Sequence, residues 1–302
     1  MKKNLLLLGG LGFIGQNLIE ELKHEYNLIV FGHQPSHRSH DYLYCSGDFT
    51  KLEELEPVFQ NYKIDLAIHL ISSTIPSSDD IVFDINSNIT STIHLLELLK
   101  KYFVSKILFC SSGGTVYGLM NEKNQIDENH PTYPISAHGI NKLAIEKYIY
   151  LYHYRYDLEY LIVRLSNPYG EKHASAEQGL INIALKKVIN NDPVIIWGDG
   201  AIIRDYIYIK DCAKIIHDLL RKNIFNQIIN VGSGQGYSIN QILSLIRDRV
   251  GDFAIIYKSP RTFDVPKIVL DIHKLKSFIP VQLTPINIGI YKTYQWLKSI
   301  PE

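Results

Sequence analysis

The chain has 302 residues, 46% hydrophobic and 21% charged, the proportions of a soluble globular protein long enough to bury a sizeable core. Its 31 basic and 31 acidic residues cancel, so neither duplex nucleic acid nor an anionic membrane is indicated as a bulk electrostatic partner. Three scattered cysteines, Cys45, Cys110 and Cys212, show no metal-ligand spacing and no disulfide framework, which points to a reducing, cytoplasmic setting.

The opening MKKNLLLLGG begins like a signal peptide, but its apolar run stops at Gly9-Gly10, short of an h-region. No stretch has the length of a transmembrane helix. LLLL (5–8) reads as a strand and 13–23 as a helix. Strands follow at NLIVFG (27–32) and YLYCSGD (42–48), then a helix over 51–60. IDLAIHLIS (64–72) is the next strand, 84–101 a helix, KILFCSS (106–112) a strand, 138–156 a helix and LEYLIVRLS (158–166) a strand. Apolar strands alternating with helices predict a parallel sheet covered on both faces. The second half is more mixed, with helices near 179–190, 239–250 and 286–299 among short segments such as PVIIWGDG, IINVGSG and FAIIYK. The fold class expected is α/β: a Rossmann doubly wound parallel sheet with a smaller α/β C-terminal domain.

Gly9, Gly12 and Gly15 fall between the first strand and the first helix, spaced GxxGxxG. Glycines in that context make a tight turn, let backbone N–H groups approach a pyrophosphate and let the helix pack close to the sheet. The phosphates then lie at a helix N-terminus, where unpaired N–H groups favour anions.

The ordered motifs resemble the extended short-chain dehydrogenase/reductase superfamily, in particular its NAD-dependent epimerase/dehydratase family, nearly end to end. After the glycines come Asp48, HLISS (69–73), Asn88, SSGGTVYG (111–118), GINKLAIEKY, RLSNPYG (164–170), WGDG with RDYIYIKD (197–211), NVGSG (230–234) and RTFDV (261–265). The resemblance implies a dinucleotide-binding domain over 1–166, to which 205–235 returns, and a nucleotide-sugar-binding domain over 167–204 and 236–302. It places Gly9, Gly12, Phe13, Ile14, Gly15, Asp48, Phe49, Leu70, Asn88 and Lys142 on the cofactor, an NAD or NADP held tightly. At the end of the second strand, where NAD enzymes carry an acid, stand Gly32 and His33, followed by His37 and Arg38. His33 and Arg38 there lean toward a 2′-phosphate; a solvated loop explains them equally. The histidines of HQPSHRSH lack the acids or cysteines of a metal site.

In the family a tyrosine four residues before the lysine is the acid/base. Lys142 fits the lysine, and His138 occupies the tyrosine slot. Tyr102/Lys106, Tyr206/Lys210 and Tyr294/Lys298 have the same spacing, but none follows SSGGTVYG on a helix. Neutral imidazole is a competent general base, yet it is shorter than phenol by roughly 2 Å. Three readings stay open: a working His138 base, a chain with weak or lost redox activity, or an introduced substitution. The catalytic Ser/Thr of the family falls at Gly113, with Ser112 and Thr115 flanking it and Thr115 the better candidate. Dehydratases carry an Asp-Glu pair in this motif; Gly114 and Thr115 stand there instead.

The resemblance further implies a nucleotide-diphosphate sugar as partner, contacted by Tyr117, Asn167, Arg204 and Arg261. Arginine is suited to that, because its planar fork binds phosphate oxygens in pairs. It also implies a homodimer through helices 84–101 and 138–156. The reaction expected is epimerisation at C4 of an NDP-hexose in surface polysaccharide synthesis. A 4-ketoreductase or dehydrogenase, or a catalytically impaired binding relative, are the alternatives.

Overall fold

The computed structural model describes residues 2–34, 39–73, 80–119, 125–173, 178–260 and 265–300. In chain order the first half contains β1 (Lys3–Leu8), α1 (Phe13–Leu22), β2 (Tyr26–Gly32), β3 (Leu43–Ser46), α2 (Leu52–Asn61), β4 (Leu66–His69), α3 (Ile81–Asp84), α4 (Ser91–Lys101), β5 (Lys106–Ser112), α5 (Ala137–Tyr156) and β6 (Glu159–Leu165). The second half adds β7 (Asn167–Tyr169), α6 (Leu180–Ile189), β8 (Val194–Trp197), β9 (Ile203–Tyr208), α7 (Ile209–Arg221), β10 (Gln227–Val231), β11 (Gly236–Ser238), α8 (Ile239–Val250), β12 (Ile255–Lys258), β13 (Lys267–Ile268), α9 (His273–Phe278) and α10 (Ile286–Ser299).

Seven parallel strands form the main sheet in the order β10-β6-β5-β4-β1-β2-β3. Successive side chains of β1 point to opposite faces, which explains its unbroken leucines. Leu5 and Leu7 join the core beneath α1 and α7, whereas Leu6 and Leu8 join the core beneath α2, α4 and α5. The strand order reverses between β1 and β4, and ligands of such sheets bind at the carboxyl ends of the strands at that point.

Two elements depart from the sequence expectation. β4 covers only Leu66–His69 of the apolar run 64–72, because β1 ends at Leu8, opposite His69. The helix over 84–101 starts earlier, at Ile81, and winds as a π-helix over Ile85–Thr90. Hydroxyls bond back to its carbonyls: Ser87 Oγ to Phe83 O (2.6 Å), Ser91 Oγ to Asn86 O (2.9 Å) and Thr92 Oγ1 to Asn88 O (2.6 Å). Such bonds compete with the regular helical ladder, and single π-turns are frequent at functional sites.

Around β9 gather β7 and β13 in parallel and β11 in antiparallel pairing, while β8 pairs with β12. A third apolar core lies under α6, α8 and α10. Asp205 of β9 is buried and accepts from Ser233 N and Oγ (2.8 Å each), Gly234 N (3.1 Å) and Leu270 N (3.3 Å). These donors follow β10 and β13, so one carboxylate joins the main sheet's last turn to the second sheet.

Candidate active site

Gly9 has φ +80°, a left-handed conformation, and a Cβ there would come within 3.1 Å of Ile71. Gly12 donates its N–H to Gly9 O (3.0 Å) and begins α1 with no side-chain cap. A Cβ on Gly15 would lie 2.5 Å from Gly10 Cα, so only glycine lets α1 pack this closely on the turn. The first N–H groups of α1 are therefore left uncapped by side chains at the reversal point of the sheet. That is the donor set a pyrophosphate requires, so the residues present fit a dinucleotide. Phe13 and Ile14 open the helix, and the Phe13 ring meets His173 edge-on at 4.6 Å.

Gly32 ends β2, and His33 and Gln34 follow it without a carboxylate; His33 is exposed. The Asp48 carboxylate accepts from Thr50 N (2.9 Å) and Oγ1 (2.8 Å), which hold its pKa below the usual range. Phe49 is buried, and Leu70 donates its N–H to Leu8 O. Asn88 lies in the π-helical segment, where Oδ1 accepts from Ser73 N (3.1 Å) and Nδ2 donates to Ser73 Oγ (2.9 Å) and Asp84 O (2.8 Å). Arg38 and Arg261 lie outside the described residues.

Ser136 caps α5 by accepting from Gly139 N (3.2 Å), which sets His138 in the first turn and Lys142 one turn on. Lys142 is 7% exposed. Its Nζ donates to Cys110 O (2.9 Å) and lies over the Phe109 ring. Burial pulls this ammonium below the ordinary lysine range, with Cys110 and Glu146 opposing. His138 is half-buried. A Cβ on Gly139 would lie 2.6 Å from Thr115 O, so the first turn of α5 rests against the loop after β5.

Within that loop Gly113 donates to Leu165 O (2.8 Å), and a Cβ there would come within 2.7 Å of Leu270 Cδ1. Leu270 thus fills the volume a hydroxyl-bearing side chain would need at 113. Ser112 ends β5, half-buried. Thr115 Oγ1 is buried and has no hydrogen-bond partner among the described residues. An unpaired buried hydroxyl is costly.

Tyr117, for which a place near the sugar or nicotinamide and a place in the core are both expected, lies in the core. It is 1% exposed, donates to Asn230 Oδ1 (2.6 Å) and accepts from Arg164 (3.1 Å). Burial pushes its phenol up to about 12. The hydroxyl is consumed inside a polar core network. There the Arg164 fork donates to Glu146 (Nε 3.1 Å, Nη2 2.7 Å), and Ser111 Oγ donates to the same carboxylate (2.5 Å).

Asn167 and Arg204 come together in the wall of a separate cleft of about 250 Å³ between β7, α6, β8 and β9. Asn167 Nδ2 donates to Asp205 O (2.9 Å) and Arg204 Nη1 to Ile203 O (2.9 Å). Trp197 lines the same cleft. Two histidines were not singled out by sequence. His173 reaches Phe13 from far along the chain, and burial lowers its pKa to about 4. His69 ends β4 within the HLISS motif, in a strand buried along its whole length because both faces of the sheet are covered.

A doubly wound sheet with an uncapped glycine turn at its reversal point, and a buried lysine over β5, defines a dinucleotide-binding enzyme of the Rossmann type. The model of the NAD dependent epimerase/dehydratase family matches residues 5–232, and the chain belongs to that family. It is 34% identical to a putative UDP-glucose 4-epimerase of Methanocaldococcus jannaschii, over 98% of each chain. It is 28% identical to a dTDP-4-dehydro-6-deoxyglucose reductase of Escherichia coli, over 90% of each. A UDP-glucose 4-epimerase of Thermotoga maritima, solved with UDP-glucose, superposes with a TM-score of 0.92 at 29% identity, covering 98% of both chains.

Proposed function

We propose that the chain epimerises a nucleotide-diphosphate hexose at C4, using NAD or NADP that it retains between turnovers, in the synthesis of surface polysaccharide. The observation carrying this is the site's economy. His138 and Lys142 share one face of α5, whose Gly139 abuts Thr115, and residues 111–118 contain no carboxylate that could serve an elimination. A reaction that removes and returns hydrogen at one carbon needs one acid/base and no second base.

Held at the glycine turn, a nicotinamide cofactor would supply the hydride acceptor and donor for C4. The chain's own residues do the rest. His138 takes the C4 hydroxyl proton and gives it back. Thr115 Oγ hydrogen-bonds the same oxygen. Lys142 holds positive charge beside the forming carbonyl and binds the nicotinamide ribose. Gly9, Gly12, Gly15 and the start of α1 hold the pyrophosphate, with Phe49, Leu70 and Asn88 along the cleft. The missing acid after β2 favours acceptance of NADP alongside NAD. Asn167 and Arg204 receive the sugar nucleotide's diphosphate side. The catalysis draws on 1–166 with the return over 205–235, and the sugar nucleotide on 167–204 and 236–302. Free cysteines at 45, 110 and 212 suit the reducing cytoplasm.

Purified protein is expected to convert a UDP-, GDP-, CDP- or dTDP-hexose to its C4 epimer with no net consumption of NADH or NADPH. Stoichiometric cofactor consumption with a 4-keto sugar would replace the epimerase by the reductase, the activity named for the E. coli relative. Calorimetry showing no binding of either cofactor or of any NDP-sugar would overturn both.

The helices 81–101 and α5 also leave an apolar outer face, with Val82 70% and Tyr154 79% exposed and Ile81, Phe83, Ile140 and Tyr150 exposed around them. Patches of this kind mark association surfaces. We infer a homodimer closed through these two helices. Light scattering at micromolar concentration should give twice the chain mass, and Val82→Glu with Tyr154→Glu should return the monomer.

A further inference from the structure

His69 is fully buried at the end of β4, its ring 5.1 Å from Phe49 and 5.3 Å from Phe109 between centroids. Its Nε2 lies 2.9 Å from Thr92 Oγ1. Thr92 in turn lies 2.6 Å from Asn88 O. A carbonyl can only accept, so the single hydroxyl proton of Thr92 is committed to Asn88. The contact from His69 therefore requires the proton on Nε2. Nδ1 is buried with no hydrogen-bond partner among the described residues, where a bare lone pair is tolerated better than an orphaned N–H. The ring is thus a neutral imidazole of fixed tautomer. Burial, and then the Lys142 charge, lower its pKa to about 3, which is consistent with that state.

This ring begins a directed chain, His69 N–H to Thr92 O–H to Asn88 C=O. Asn88 O also accepts from Ser91 N within the π-turn. The side-chain amide of the same residue bonds Ser73 in the loop after β4, accepting from its N–H and donating to its Oγ. Hydrogen bonds from His69 at the end of β4 and from Ser73 in the loop after it thus converge on the same π-helical turn. We propose that His69, as the Nε2–H imidazole, is a positioning residue that sets Asn88 through Thr92 on the wall of the dinucleotide cleft. The clause concerning the cleft rests on the function proposed above.

The test contrasts His69→Gln with His69→Phe. Glutamine places a donor near Nε2 but packs worse between two phenylalanines; phenylalanine packs well and cannot donate. The positioning role predicts that His69→Phe weakens NADH binding about tenfold, a loss of about one hydrogen bond, and His69→Gln much less. Ser73 N–H should exchange about tenfold faster in His69→Phe than in wild type. Thr92→Val should match His69→Phe, and the double variant should add little. Nitrogen NMR of labelled histidine should show Nε2 protonated and Nδ1 bare across neutral pH. A packing role predicts the opposite order, with Phe equal to or better than Gln, and that order or a protonated Nδ1 overturns the proposal. If wild type binds neither NADH nor NADPH, the reading of the cleft fails, and the tautomer and exchange measurements still decide His69.

Discussion

His138→Phe is expected to lower kcat/KM by about 10²–10⁴-fold with little change in substrate affinity, the scale of a lost general acid/base. The position explains the size. His138 stands one helical turn before a buried lysine and against the loop bearing Thr115. His138→Tyr is expected to raise kcat, because the phenol reaches about 2 Å further, and displacements of ~1 Å already cost about a hundredfold. Progress curves with the NDP-hexose found active measure both variants. Equal turnover by wild type and His138→Phe would remove His138 from the chemistry. Inactive wild type with no gain in His138→Tyr would leave a binding protein.

The second large effect is on stability. Replacing Glu146 by Ala strands Arg164, which is 3% exposed and whose charge burial opposes and Glu146 sustains. Breaking a buried pair from one side costs about 3–5 kcal/mol, whereas removing both charges costs far less. Glu146→Leu combined with Arg164→Met should therefore be more stable than either single change. Urea unfolding followed by circular dichroism gives the three values. A double variant less stable than both singles would show that Ser111 and Tyr117, bound to the same pair, matter more than the charges. Glu146 is one turn beyond Lys142 on α5, so the single variants should lose activity along with stability.

What sequence can show here follows from how local each signal is. β1, the glycine turn and α1 are contiguous, and each states its own requirement: alternating burial, a positive φ at Gly9, close packing at Gly15. They were legible for that reason. So was α5, through Ser136 as its cap and the spacing of His138 and Lys142. Tyr117 was not, because its place depends on Arg164 and Asn230, which come from β6 and β10, neighbours in the sheet but distant along the chain. The glycine at 113 likewise makes sense only against Leu270. The π-turn over 85–90 escaped because periodicity is set by side-chain burial, whereas this turn is set by serine and threonine hydroxyls bonding to backbone.

Asp205 has a consequence for how the molecule comes apart. Its carboxylate holds four donors from the turn after β10 and from Leu270, while its own strand β9 carries the second sheet. Burial pushes its pKa up, and those donors work against the shift. Melting either core strips this carboxylate of partners on one side and leaves it buried on the other. The main sheet and the second sheet are thereby tied into one cooperative unit, and neither can be excised as a separately folding fragment without orphaning that group.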